Sequence, residues 1–181
     1  LHKTMTRSTV GTGVPAAYWS GSQDTTAATS AAVQAFLINN HREIGDRSED
    51  PYVDLVTRGL RYLETQLSAV AIGVQTAGDP DTNHNGIGLQ YATNPIYVTG
   101  QVADAFVATG TPDAVAVGGD PTHVRGRRYL DLVQDMMDMY WWGQADNNWP
   151  AYAFGGWRGG WHYSWNSDAD NSTAQWGAIT G

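Results

Sequence analysis

Residues 79–87 read Asp79-Pro80-Asp81-Thr82-Asn83-His84-Asn85-Gly86-Ile87, with oxygen-bearing side chains at alternate positions ahead of a glycine. Hard divalent cations are held by oxygens spaced in this way. Counted from Asp81, the Asp-x-Asn-x-Asn-Gly order fits the first half of an EF-hand loop. Asp79, Asp81, Asn83 and Asn85 are the candidate ligands, and Ca2+ in a structural role is the candidate ion. Ala92 stands at the twelfth position, where that loop carries a glutamate. The same residues can instead form an Asn/Gly turn whose side chains bond their own backbone. A second acidic group is Asp168-Ala169-Asp170-Asn171. At a helix start, Asp168 or Asp170 can accept first-turn N–H groups and favour the positive end of the helix dipole; an ion or another ligand is the other use. A third group is aromatic: Trp141, Trp142, Trp149, Tyr152, Phe154, Trp157, Trp161, Tyr163 and Trp165. Such rings can pack internally, stack on a ligand such as a sugar, or anchor a subunit interface. Trp149, Trp157, Trp161, Tyr163, Trp165 and Trp176 are the candidate ligand or interface residues.

Composition narrows the function classes. The chain has 181 residues, a length that suits one domain. A hydrophobic share of 41% supplies a core, and only 15% of residues are charged. The uncharged polar surface this implies points to an exported or extracellular protein. With a net charge of −8, a phosphate-backbone binder is not expected. The basic group Arg125, Arg127 and Arg128 reads as a solvated first turn of a helix. No cysteine is present, which excludes disulfides, thiolate nucleophiles and thiolate-bound metal. No apolar run reaches the ~20 residues of a membrane span. No Ser-His-Asp order, phosphate loop or dinucleotide fingerprint occurs. The chain starts at Leu1, so a processed or trimmed N-terminus is expected.

A tyrosine phrase occurs twice and organises the elements around these groups. Tyr52-Val53-Asp54-Leu55-Val56 returns as Tyr129-Leu130-Asp131-Leu132-Val133. The first copy opens the stripe Tyr52, Leu55, Val56, Gly59, Leu60, Leu63, Leu67; the second opens Tyr129, Leu132, Val133, Met136, Met137, Tyr140. Both follow helical spacing. Repetition at long period predicts a stack or ring of helices, since one repeat cannot bury its own apolar face. The expected helices cover 25–40, 50–70, 95–109, 122–144 and 170–181, after a polar arm over 1–24. Asp50 and Pro51 mark the second start. Ala35-Phe36 and Ala105-Phe106 sit at matching places in helices lined by small residues, as an inner layer requires. Trp176, Ala178 and Ile179 begin an apolar face that a continuation of the chain or another subunit is expected to cover.

Gly155-Gly156-Trp157-Arg158, Gly160-Trp161-His162-Tyr163 and Ser167 through Trp176 together resemble the prenyltransferase and squalene-hopene cyclase repeat superfamily, in which a Gly-Gly-Trp-x-Tyr loop leads into a helix carrying Gln-Trp. The resemblance is strongest over 155–176. It implies an (α/α) toroid of inner and outer helices, here an incomplete ring or an open α-solenoid spanning 25–181. It also implies a reading of Asp170 as the general acid of a terpenoid cyclase, a carboxylic acid kept protonated in a dry pocket. This chain departs from that motif at Asn171 and Ser172. The zinc site of protein prenyltransferases needs a cysteine, so it does not carry over.

The expected fold is therefore all-α. The expected function is a non-catalytic repeat module of an exported protein, acting in self-assembly or ligand binding. The alternatives are a cyclase-like enzyme fragment using Asp170 and a glycan-binding α/α barrel.

Overall fold

The computed structural model describes residues 2–11, 13–75, 77–145, 159–167 and 169–180. After a 3-10 turn at His2–Thr4 come β1 (Met5–Val10), β2 (Val14–Trp19), α1 (Thr25–Ile38), α2 (Val53–Glu64), β3 (Ser68–Ala71), β4 (Ile87–Gln90), α3 (Pro95–Ala108), α4 (Tyr129–Gly143) and α5 (Asn171–Thr180). The strands pair as two separate antiparallel sheets, β1 with β2 and β3 with β4. The protein is thus mixed α/β. The all-α toroid or open solenoid expected from the sequence is not what the chain builds.

Two passages account for the difference. Residues 1–24 are not a polar arm. Met5–Val10 is rich in β-branched residues and pairs in register from Met5 against Trp19 to Val10 against Val14. Gly11 and Gly13, both at positive φ, flank the reversal between the strands. The second helix also stops early. It was expected to reach residue 70, yet it ends at Glu64, where the Thr65 hydroxyl bonds back to the Tyr62 carbonyl at 2.6 Å. Ser68–Ala71 then crosses to Ile87–Gln90 as a ladder. The fourth helix, expected from 122, begins at Tyr129.

The chain divides into two compact units, Leu1–Leu67 with Gln101–Asp131, and Ser68–Gly100 with Leu132–Gly181. α3 and α4 each contribute residues to both. In the first unit β2 packs on α1 and α2. Its core includes Ala16, Ala17, Trp19, Val33, Leu60, Leu63, Phe106 and Tyr129. Gly59 permits this closeness: a Cβ there would lie 2.5 Å from Val33 Cγ2. In the second unit Ile96, Met137, Tyr140 and Trp161 form a cluster, with Val133, Trp165, Ala174 and Trp176 against it.

Candidate functional site

The aromatic end of the second unit is sorted by burial. Trp161 is core: its ring is edge-on to Tyr140, with centroids 6.0 Å apart, and its indole N–H donates to the Tyr140 carbonyl at 2.8 Å. Trp165 also packs edge-on to Tyr140, at 5.1 Å, and donates to Gln90 Oε1. Tyr163 faces outward and is 48% exposed. It is held by ring contacts to Tyr97 at 5.5 Å and His162 at 5.0 Å. Trp176 on α5 is half-buried and lies edge-on to Tyr97 at 6.1 Å. The Tyr97 hydroxyl donates to Ser172 Oγ at 2.7 Å, and the Ser172 hydroxyl donates to Asp170. Tyr97, Tyr163 and Trp176 thus form an aromatic face edged by a carboxylate and two hydroxyls. Trp149, Trp157 and Asp168 lie outside the described residues.

Asp170 opens α5. Its Oδ1 accepts the Ser172 backbone N–H at 2.8 Å, and its carbonyl takes the Ala174 N–H at 2.9 Å. The Ser172 hydroxyl and then its backbone N–H hold this carboxyl below the usual carboxylate range. It therefore keeps its charge at neutral pH, whereas a proton-donating acid needs the opposite shift. The geometry is that of a helix cap, as it is for Asp24 at α1, which accepts the Ala27 N–H at 2.9 Å.

Residues 79–86 close on themselves and on α4. Asp81 is nearly buried, and its two oxygens accept the backbone N–H groups of Asn85 (3.2 Å) and Gly86 (2.7 Å). Asp79 Oδ1 accepts from the Asp81 N–H at 3.1 Å. The Asn83 and Asn85 side-chain oxygens accept backbone N–H groups of Asn85 and Ile87. Their amide nitrogens donate to Asp135 Oδ1 at 2.7 and 2.9 Å. Thr82 donates twice to Asp138, from its hydroxyl at 2.8 Å and its N–H at 3.2 Å. Burial pushes the Asp138 carboxyl up. The four expected ligands are brought together, but both oxygens of Asp81, one of Asp79 and the amide oxygens of Asn83 and Asn85 accept backbone N–H groups, with which a cation would compete. Among the described residues no group of three or more His, Asp or Glu is arranged to hold a metal ion.

A fourth place was not singled out from the sequence. Glu64, the last residue of α2, is only 1% exposed. Its Oε2 accepts the N–H groups of Val117 (3.0 Å) and Gly118 (2.6 Å), and its Oε1 accepts the Tyr129 hydroxyl at 3.0 Å. Gly119 sits at a φ of +79, the left-handed region that glycine adopts freely, and so turns the chain beside these two donors. Burial pushes the Glu64 carboxyl up; the Gly118 N–H and the Tyr129 hydroxyl pull the other way less strongly. Tyr129 is pushed up as well, first by burial and then by the Glu64 charge. Glu43 lies nearby in the loop after α1. Arg42 fixes that loop by donating to the carbonyl of Ala108, the last residue of α3, at 3.1 Å and to that of Thr109 just beyond it at 2.7 Å. The Thr57 hydroxyl donates to the Glu43 carbonyl at 2.9 Å, and the Thr111 hydroxyl donates to Glu43 Oε1. The sequence signal for Glu64 was its position: it lies four residues after Leu60, on the apolar stripe, where a solvated Glu does not belong. Asp135 and Asp138 lie off the Tyr129, Leu132, Val133, Met136, Met137, Tyr140 stripe of α4, so the apolar spacing marks neither.

The basic residues are engaged locally. Arg128 pairs with Asp131 at 2.8 Å and Asp113 at 3.3 Å, and Arg127 donates to the His123 carbonyl at 2.9 Å. Among the described residues no helix is long and apolar enough to cross a membrane. Comparison with protein-family models, with curated proteins and with solved structures gives no match to this chain.

Proposed function

We propose that this chain is a non-catalytic binding module of an exported protein, and that its working surface is the aromatic face of Tyr97, Tyr163 and Trp176. One observation carries this reading: Tyr163 leaves 48% of its surface in solvent while two ring contacts hold it in place. An ordered, exposed aromatic offers binding area at low entropic cost, because little freedom remains to be lost. The polar edge of Asp170, Ser172 and the Tyr97 hydroxyl suits a hydroxyl-rich, uncharged ligand, so a neutral glycan is the ligand class favoured. The few charged residues in the composition support an extracellular setting. The ionised state of Asp170 supports binding rather than acid catalysis.

The test is a titration of the protein with neutral oligosaccharides, followed by tryptophan fluorescence, for the wild type and Tyr163→Ala. Saturable binding that weakens about tenfold in the variant is expected, the loss of one stacking aromatic being worth roughly 1–2 kcal/mol. Sedimentation of the same samples decides the other occupant. Concentration-dependent self-association abolished by Tyr163→Asp would assign the face to a second copy of the chain. Neither sugar binding nor association would remove this reading.

A further inference from the structure

The first unit contains a pocket that the aromatic reading does not use. It encloses about 150 Å3, and its walls include Leu60 and Arg61 of α2 with Ala114, Val115, Val117 and Tyr129. A cavity of that size holds a molecule of benzene dimensions, and so an aliphatic side chain of valine to leucine size. Several polar groups of the wall are already engaged. Both oxygens of Glu64 are filled, by two backbone N–H groups and the Tyr129 hydroxyl. The Thr57 hydroxyl is shared by the Glu43 and Val53 carbonyls, at 2.9 and 2.8 Å. Glu43 Oε1 accepts from Thr111, and Oε2 is shielded from solvent, so neither is open to a ligand. Two groups remain open. The first is the backbone of Val115. The Tyr129 N–H donates to the Ala114 carbonyl at 2.8 Å, and the Ala116 N–H donates to the Arg127 carbonyl at 2.9 Å. Val115 stands opposite Arg128 between those two bonds. Its own N–H and C=O therefore point to the other side, as alternation along an antiparallel pair requires. That is the side on which the Val117 N–H reaches Glu64. Neither Val115 group has a hydrogen-bond partner among the described residues, and the residue is 51% exposed. The second open group is Arg61. Its Nη1 donates to the Pro15 carbonyl at 3.3 Å, while Nε and Nη2 have no hydrogen-bond partner among the described residues. Two parallel N–H groups on one edge of a guanidinium match the two oxygens of a carboxylate.

We infer that this pocket binds the C-terminal residue of an extended peptide that ends in a small aliphatic side chain. The N–H of that residue donates to the Val115 carbonyl. Its carboxylate accepts from the Val115 N–H and from Arg61. Its side chain enters the cavity against Leu60 and Ala114. This is strand addition to an open edge, with a cation to hold the chain end. The open polar groups decide the class of ligand. Apart from one carbonyl they are donors, and one of them is a cation, so a metal ion or an amine finds no open carboxylate. An inorganic anion would use Arg61 but leave the Val115 carbonyl and the apolar wall unmatched. An internal stretch of peptide would pair with Val115 but leave Arg61 without its anion. Burial pushes the Glu64 carboxyl up, which lessens its repulsion of an incoming carboxylate. The site lies in the unit without the aromatic face, so the two readings stand or fall separately.

Calorimetric titration tests it with N-acetyl-dialanyl-valine as the free acid, the same peptide as its C-terminal carboxamide, and sodium acetate. Wild type is expected to bind the free acid saturably. The carboxamide on wild type, and the free acid on Arg61→Gln, should each bind about tenfold or more weakly. Four results overturn the inference: no saturable binding of the free acid, equal binding of the carboxamide, equal binding by Arg61→Gln, or acetate binding as tightly as the peptide. Should Arg61→Gln fail to fold, amide hydrogen exchange of the wild type decides. The Val115 N–H is expected to exchange at least about tenfold more slowly with the peptide at saturation, because the peptide covers it. Unchanged exchange at Val115 overturns the inference as well.

Discussion

The two tyrosine phrases begin alike and end differently. Tyr52 rests on Phe36, with ring centroids 5.2 Å apart, and Tyr129 rests on Phe106 at 4.7 Å. In each copy the phenylalanine comes from a helix lined by small residues. Beyond that pair the surroundings diverge. Tyr52 is half-buried and stands edge-on to His41 at 4.6 Å, whose Nδ1 is 3.0 Å from Asp50. Tyr129 is buried and gives its hydroxyl to Glu64, the carboxylate that also gathers the Val117 and Gly118 N–H groups. One copy faces a histidine at the edge of the fold, and the other closes an internal anion site. The repeat carries the aromatic pair, whereas the polar partners, His41 of a loop in one copy and Glu64 at the end of α2 in the other, are not repeated.

The largest expected contrast is in the phenylalanines. Phe106→Ala should lose about 3–5 kcal/mol of stability, and Phe36→Ala should fall at the lower end of that range because its ring is less enclosed. Urea unfolding of both variants checks this. Equal losses would mean that the two pairs are packed alike.

A smaller effect separates the hydroxyls. Tyr129→Phe leaves Glu64 one donor short and should cost roughly 1–3 kcal/mol. The Glu64 carboxyl also predicts a pH signature. Its folded value lies above the ordinary 4.5, so the folded state holds this proton more tightly than the unfolded chain. That contribution is complete below the ordinary value and is lost as pH rises through the folded one. Asp46, Asp50, Asp120, Asp131 and Asp170 are shifted down and act with the opposite sign at lower pH. The quantity to measure is therefore the difference in unfolding free energy between wild type and Glu64→Gln, from about pH 4.5 to about pH 7. It should shift against the wild type as pH rises. A flat difference would show that burial does not perturb this carboxyl.

The smallest contrast lies at the aspartates of the two phrases. Asp54 accepts from Arg58 at 2.7 Å and has Arg47 at 3.2 Å, while Asp131 pairs with Arg128 at 2.8 Å. The arginine of the second pair is exposed, so Asp131→Asn should cost well under about 1 kcal/mol and less still in high salt. Asp54→Asn should cost somewhat more, because Asp54 and Arg58 are both sheltered. Thermal unfolding at two salt concentrations checks the order.

The helices were legible because their signals are local. Periodic apolar residues, Asp24 before α1 and the Tyr-x-Asp-Leu-Val phrases each state their element within a few positions. The β1–β2 hairpin was written there too, in β-branched residues on either side of Gly11 and Gly13. The glycines and polar residues of the segment read equally well as an arm, so this local signal does not decide between the two. β3 and β4 were less legible. Ser68–Ala71 continues an apolar helix pattern, and only pairing with Ile87–Gln90 makes it a strand. At the site, the sequence marked Tyr163 and Trp176 but placed them with Trp161, which is buried, and Trp165, which is half-buried against Tyr140. An aromatic's type does not state which side of a core it occupies.

By itself the sequence determined which stretches become helices, the paired tyrosines, the absence of thiol chemistry and the acidic balance, since each depends on neighbouring residues or on composition alone. Tertiary structure decided the rest. It made the fold mixed rather than all-helical, closed the Asp81 loop through the N–H groups around it and the carboxylates of α4, turned Tyr163 outward, and left one oxygen of Glu43 unmatched beside a filled Glu64. Those outcomes depend on which donors arrive from distant parts of the chain. A carboxylate's role is set by what meets it, and that is known only once the chain has folded.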